Sequence, residues 1–155
     1  RIHLLARWPG HVASGSTSDQ LIALTDMLAT FAGLVGVELP DDAGQDSFDM
    51  LPVLLGQDGA RQIRPHCVHD SMQRHLFAMR SGEWKLILGQ GGGGIGSGWG
   101  TKPGIEHFTA ADPAFQLYNL VDDLAETRNV FAKYPDVARK LTATLESIRR
   151  EGRSR

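Results

Sequence analysis

The sequence predicts an α+β fold, a small antiparallel sheet of about four strands packed with a C-terminal helix, behind a strand and helix of α/β type. Three observations carry this. Short β-textured runs cluster after residue 60, with Ser81-Gly82 as a tight turn between two of them. Pro135 opens a run in which Val137, Ala138, Leu141, Leu145 and Ile148 share one helical face. The opening segment places the apolar run Arg1 to Arg7 before a Trp8-Pro9-Gly10 stop and a second apolar-periodic stretch.

Taken in order, Ile2 to Ala6 reads as a strand whose ladder partners must lie elsewhere, because one strand cannot satisfy its own backbone groups. The chain is therefore expected to be the later piece of something larger. His11 to Gly15 is a loop, and Thr17-Ser-Asp-Gln20 has capping-box spacing. Leu21, Leu24, Leu28 and Phe31 then recur at helical steps, which predicts a helix with that stripe facing a core and ending near Gly33. Residues 1–36 thus form one strand-helix unit of an α/β layer.

Residues 37–60 change to turn formers and acids and are expected to be a connector. A short helix within Ser47 to Leu55, capped by Asp46 or Ser47 and interrupted by Pro52, is its one element. Residues 61–155 hold the sheet, with strands expected over Arg64 to His69, Leu76 to Arg80, Trp84 to Leu88 and Phe115 to Leu120, and then the terminal helix.

Composition narrows function by exclusion. The 155 residues carry 16 Lys and Arg against 18 Asp and Glu, a net charge of -2, so no overall basic footprint for nucleic acid exists. The basic tail Arg149 to Arg155 is expected to complement the helix dipole and remain solvated. One cysteine, Cys67, rules out an internal disulfide framework and a multi-thiolate zinc site. No apolar run approaches the ~20 residues of a membrane span.

Candidate chemical motifs are sparse. The segment Gly89 to Gly100 contains G-x-G-x-x-G, yet it runs on through Thr101-Lys-Pro-Gly104 with no helix start to hold a pyrophosphate. It reads as a mobile loop of the kind that borders binding sites. In His66-Cys-Val-His69-Asp70, strand alternation sends His66 and His69 to opposite faces, so they cannot share a metal. Cys67 and His69 share a face but stand roughly 6–7 Å apart, too far for a nucleophile and base pair. Asp26, beside Thr25 and before Thr30, is expected to cap or hydrogen-bond, because an unpaired buried charge is costly. Asp122, Asp123, Glu126 and Asn129 lack calcium-loop spacing and read as a solvated turn. Trp84 beside Lys85 could cradle a sugar or anion, although an indole on such a strand is ordinarily core.

As ordered strings, these residues say more. Arg7-Trp8-Pro9-Gly10, Ser18-Asp19-Gln20 with Asp26 and Thr30, Gly36 to Pro40, Asp46-Ser-Phe-Asp-Met-Leu-Pro52, Ala78 to Ile87, and Leu117-Tyr-Asn-Leu120 with Asp123, Glu126 and Asn129 follow the order found in type I sulfatases. The chain resembles the C-terminal segment of an arylsulfatase-like member of the alkaline phosphatase superfamily. That resemblance implies a sulfuric ester hydrolase whose strand and helix at 1–36 end a large catalytic α/β domain. It also implies a formylglycine nucleophile and a calcium ion, both belonging to a preceding part. Cys67 is followed by Val68 to Ser71, without the family's Cys/Ser-x-Pro-x-Arg, so no catalytic or metal-ligating residue is carried over. What remains is support of the catalytic domain and the edge of a pocket for a sulfated carbohydrate or aryl sulfate, with His69, Gln90 and Trp99 as the expected substrate-facing residues. Export to the periplasm or exterior is implied by the family. A non-catalytic carbohydrate- or protein-binding module, and a phosphoesterase of the same superfamily, are the alternatives. The strings Gly82 to Ile87 and Leu117 to Leu120 favour sulfatase over phosphoesterase.

Overall fold

The structure, a computed structural model, describes residues 3–59, 61–70, 76–90 and 113–155. It divides into two units, Arg1–Pro65 with Gly152–Arg155, and His66–Glu151.

The first unit contains α1 (Asp26–Val35) and the short α2 (Leu51–Leu54). Helix α1 begins later than the capping-box spacing predicts. Ser18 Oγ does accept the Gln20 amide, at 3.2 Å, but the Gln20 side chain does not turn back to cap. It donates to Asp58 Oδ2 at 3.0 Å and to the Arg61 carbonyl at 2.7 Å, and its carbonyl accepts the Ile63 amide at 3.3 Å. The helix starts instead on a reciprocal pair: the Asp26 amide donates to the Ala23 carbonyl while the Ala23 amide donates to the Asp26 carboxylate. The Ala29 amide, at the close of the first turn, also donates to Ser47 Oγ at 2.8 Å, 18 residues away in sequence.

The end also shifts. Gly36, at φ +70°, terminates the helix in the left-handed conformation that favours glycine, and its amide bonds back to the last turn. Gly33 lies inside the helix. A Cβ there would stand 2.7 Å from Asp49 Oδ2, so glycine is what lets that carboxylate approach. Asp49 in turn accepts the Leu51 amide at 2.8 Å and starts α2, where Pro52 occupies the first turn rather than interrupting the helix.

The expected core stripe of α1 is reversed. Leu24, Leu28 and Phe31 are 69, 51 and 58 % exposed, whereas Asp26, Ala29 and Thr30 are buried. The amphipathic period is present, but within this unit the polar side is the covered one. Of the expected strand Ile2 to Ala6, the described residues 3–6 form no ladder with other described residues, and Leu5 is almost wholly exposed.

The second unit is a four-stranded antiparallel meander in sequence order, β1 (His66–Asp70), β2 (Phe77–Ser81), β3 (Trp84–Ile87) and β4 (Gln116–Asn119), followed by α3 (Pro135–Glu151). Each strand falls within a residue or two of its expected bounds, and Gly82 at φ +55° makes the β2–β3 turn. One sheet face contributes Met79, Leu86 and Leu117 to a core closed by Ala138, Leu141 and Leu145 of α3, with Val137 and Ile148 packed beside them. That is the helical face anticipated from sequence. Trp84 joins this core, tilted against Tyr134 at a centroid distance of 5.0 Å.

The free side of β4 is held by Asn129. Its Oδ1 accepts the amides of Leu117 and Phe131, both at 3.0 Å, and its Nδ2 donates to the Phe115 carbonyl at 3.1 Å. The Val130 amide adds a bond to the Leu117 carbonyl at 2.8 Å. At the end of α3, Arg149 is not simply solvated: its guanidinium lies 4.4 Å from the centroid of Phe77.

Candidate functional site

The two units offer different kinds of polar arrangement. In the first, Asp26 and Arg64 form a fully enclosed ion pair, 0 and 2 % exposed, with Arg64 Nη2 2.5 Å from Asp26 Oδ1 and Nε 2.9 Å from Oδ2. The carboxylate also accepts the Ala23 amide at 2.7 Å and the Phe48 amide at 2.9 Å, so both oxygens are filled. The remaining N–H of Arg64 Nη2 is shared between the Asp46 carbonyl at 2.5 Å and Thr25 Oγ1 at 3.3 Å, and the guanidinium lies 4.6 Å from the Phe48 ring centroid. Thr30 extends the network, donating to the Asp26 carbonyl at 2.7 Å and accepting the Met50 amide at 3.0 Å. With every lone pair of Asp26 engaged, the cluster is a structural centre without an open position for a reactant. The hydrogen-bonding role expected of Asp26 is what the structure shows. Its partner Arg64 escaped sequence reading, because an arginine before a proline carries no periodic signal.

In the second unit, cross-strand register puts His69, Ala78, Ile87 and Gln116 in one row on the sheet face opposite the α3 core. Cys67, Arg80, Lys85 and Tyr118 form the adjacent row. Cys67 and His69 therefore share a face, and His66 and Val68 take the other, as alternation requires. Lys85 and Trp84 also part company: Trp84 enters the core, while Lys85 Nζ pairs with Glu126 Oε2 at 2.6 Å. The indole thus takes the core position expected of it, and no cradle with Lys85 is formed. Glu126 reaches this position from a backbone at φ +58°, in the left-handed region that turns use.

On the same face, the Tyr118 hydroxyl donates to Gln116 Oε1 at 2.6 Å, and Gln116 Nε2 donates to the Gly89 carbonyl at 2.8 Å. Gln90, next in the chain, donates to the Pro113 carbonyl at 3.3 Å. Of the three expected substrate-facing residues, His69 sits exposed on β1 and Gln90 just past β3. Two strand spacings, about 10 Å, separate the His69 row position from β3. Trp99, with the glycine-rich segment from Gly91 onward, lies outside the described residues. The polar residues that do meet here, Gln116 and Tyr118, have an i, i+2 spacing that could have flagged them.

Among the described residues, no three His, Cys, Asp or Glu side chains come together as a metal-ligand group. Among the described residues no side-chain set fits calcium. Asp123 is a local bracket: it accepts the Thr127 amide and hydroxyl and the Arg128 amide at 2.8–2.9 Å. The Thr127 amide above all, with the Arg128 amide, the Thr127 hydroxyl and the Arg128 charge, holds its carboxyl below the usual aspartate value against a smaller opposing effect of desolvation.

No family model matches the chain. Individual proteins do. An N-acetylgalactosamine-6-O-sulfatase of Bacteroides thetaiotaomicron is 33 % identical over 153 residues, which is 96 % of this chain and 27 % of that protein. The chain belongs to the sulfatases. Arylsulfatase A of Bos taurus is 30 % identical over 86 % of this sulfatase chain and 27 % of its own length. The chain spans about a quarter of the length of the curated relatives it matches. Among solved structures, a Bacteroides thetaiotaomicron protein from work on the metabolism of multiple glycosaminoglycans superposes with a TM-score of 0.58 at 33 % identity, covering 79 % of this chain and 24 % of that one. The fold also matches BT4656, solved with D-glucosamine-2-N,6-O-disulfate, at a TM-score of 0.63 and 23 % identity, over 93 % of this chain and 27 % of that one. Sulfatase strings that were only an ordered resemblance now have physical content. Asp46 to Pro52 supplies the Arg64 carbonyl partner, the Ala29 acceptor, the Phe48 amide for Asp26 and the Asp49 start of α2. Asn129 supplies the β4 bracket.

Proposed function

We propose that this chain is the C-terminal part of a sulfuric ester hydrolase, where it supports a catalytic α/β domain and edges the pocket for a sulfated carbohydrate. The observation that carries this reading is the 33 % identity to an N-acetylgalactosamine-6-O-sulfatase along 96 % of the chain. In the whole enzyme, formylglycine and calcium belong to the preceding domain, and the compartment is periplasmic or extracellular. Leu24, just before α1, and the exposed Leu28, Phe31 and Val35 on α1 are the surface this reading assigns to the catalytic domain. Burial of such side chains contributes about 1.5–3 kcal/mol each. His69, Gln90 and Trp99 select among sulfate esters from the pocket rim.

The test has two arms in the full-length enzyme. Leu28→Asp with Phe31→Asp is expected to lower the melting temperature and the soluble yield; unchanged values would refute the assigned docking side. Ala variants at His69, Gln90 and Trp99 are then compared on several sulfate esters. A shift in relative kcat/KM is expected, and unchanged preference in all three would refute the rim assignment.

A further inference from the structure

The tail Gly152–Arg155 groups with the first unit, although helix α3 that precedes it belongs to the second. Gly152 turns the chain off α3 at φ +69°. Arg155 then aims both arms of its guanidinium at neighbouring carbonyls of the loop between α1 and α2: Nε donates to Gly44 at 2.6 Å and Nη2 to Ala43 at 2.7 Å. The amides of Ser154 and Arg155 both donate to the next carbonyl, Gln45, at 3.2 and 3.3 Å. Arg153 Nε donates to the Arg155 carbonyl at 2.9 Å and stiffens the tail.

The loop presents these carbonyls because it is wound from successive turns. The Ala43 amide bonds to the Pro40 carbonyl and the Ser47 amide to the Gly44 carbonyl, at 3.0 and 2.8 Å. Gly44 sits at φ +64°, with Leu39, Ser47 and Leu28 atoms 3.2–3.4 Å from where a Cβ would stand. The following carbonyl, Asp46, is the one that accepts the buried Arg64. Four consecutive carbonyls are thus taken by tail donors on one side and the buried arginine on the other.

We propose that Gly152–Arg155 is a latch that holds the 41–47 loop in the shape that delivers the Asp46 carbonyl to Arg64 and the Phe48 amide to Asp26. The planar fork of Arg155 is what makes the latch, since it spans two adjacent carbonyls, whereas a lysine ammonium acts as a point charge. The loop's own acids, Asp41, Asp42 and Asp46, favour a basic tail there.

Amide hydrogen exchange on the intact protein tests this. Arg155→Ala is expected to speed exchange in residues 41–48 roughly 2- to 10-fold, the range that the net worth of a hydrogen bond allows. Arg155→Lys is expected to give most of the same acceleration. Arg150→Ala, an equal loss of charge one turn before the tail, is expected to leave the loop unchanged. Unchanged loop exchange in Arg155→Ala would overturn the proposal. So would full protection in Arg155→Lys, or an equal acceleration in Arg150→Ala.

Discussion

Changing Asp26 to Asn tests whether the enclosed ion pair organises the first unit. The substitution keeps the shape and removes the charge. All the groups directed at the carboxylate are donors: the Ala23 and Phe48 amides and the Arg64 Nε and Nη2. Whichever way the Asn amide turns, its NH2 meets a donor, and the Arg64 guanidinium stays 2 % exposed without a counter-charge. Breaking one side of a buried pair costs about 3–5 kcal/mol. With a urea slope near 2 kcal/mol/M, that lowers the unfolding midpoint by roughly 2 M. The assay is urea denaturation at constant slope, run on Asp26→Asn, Arg64→Met and the double variant. Because the excess charge is removed in the double variant, its loss is expected to fall short of the sum by at least about 1 kcal/mol. A loss below about 1 kcal/mol for Asp26→Asn, or strict additivity in the double variant, would refute the reasoning.

Two further outcomes follow from the second unit. Asn129→Ala removes one oxygen that accepts two amides and one donor beside the fully buried Leu117, and is expected to cost about 1–3 kcal/mol in the same denaturation assay. Asn129→Asp keeps the accepting oxygen but turns a second oxygen on the Phe115 carbonyl, so it is expected to be destabilising as well. Asp123 has a folded pKa below its unfolded one, so its contribution is present above the ordinary aspartate value and is lost as pH falls through the depressed one. Exchange of the Thr127 and Arg128 amides, corrected for its intrinsic pH dependence, should therefore rise only under acid below that ordinary value. In Asp123→Asn the acid step should vanish.

How legible these features were depended on what each pattern encodes. The sheet and α3 were readable because Met79, Leu86 and Leu117 face Ala138, Leu141 and Leu145 within one unit, so alternation and helical period both refer to a core the chain itself contains. For α1 the period was equally clear and its direction was not. Periodicity says that Leu24, Leu28 and Phe31 lie together, but not whether their cover is local. Gln20 misled for a related reason. Capping-box spacing matches its position, yet the amide is drawn to Asp58, Arg61 and Ile63, contacts some 40 residues distant that no local window contains. Likewise Ser47 accepts an amide of a helix 18 residues earlier. Of the site, His69 and its face follow from alternation, whereas the Lys85–Glu126 pair required a left-handed residue that sequence gives no reason to expect.

The reversed polarity of α1 separates two properties that ordinary helices confound. In most amphipathic helices, replacing the apolar stripe destroys the fold and the interface together. Here the interior is held by Asp26, Ala29 and Thr30, so Lys or Glu at Phe31 and Val35, on the exposed side of α1, would leave that interior in place. Under the docking side proposed above, such a charged-surface variant is expected to lose the contact with the catalytic domain while keeping that interior. In protein-engineering terms, that proposal places folding and assembly on opposite sides of the ten residues of α1, where they can be varied separately.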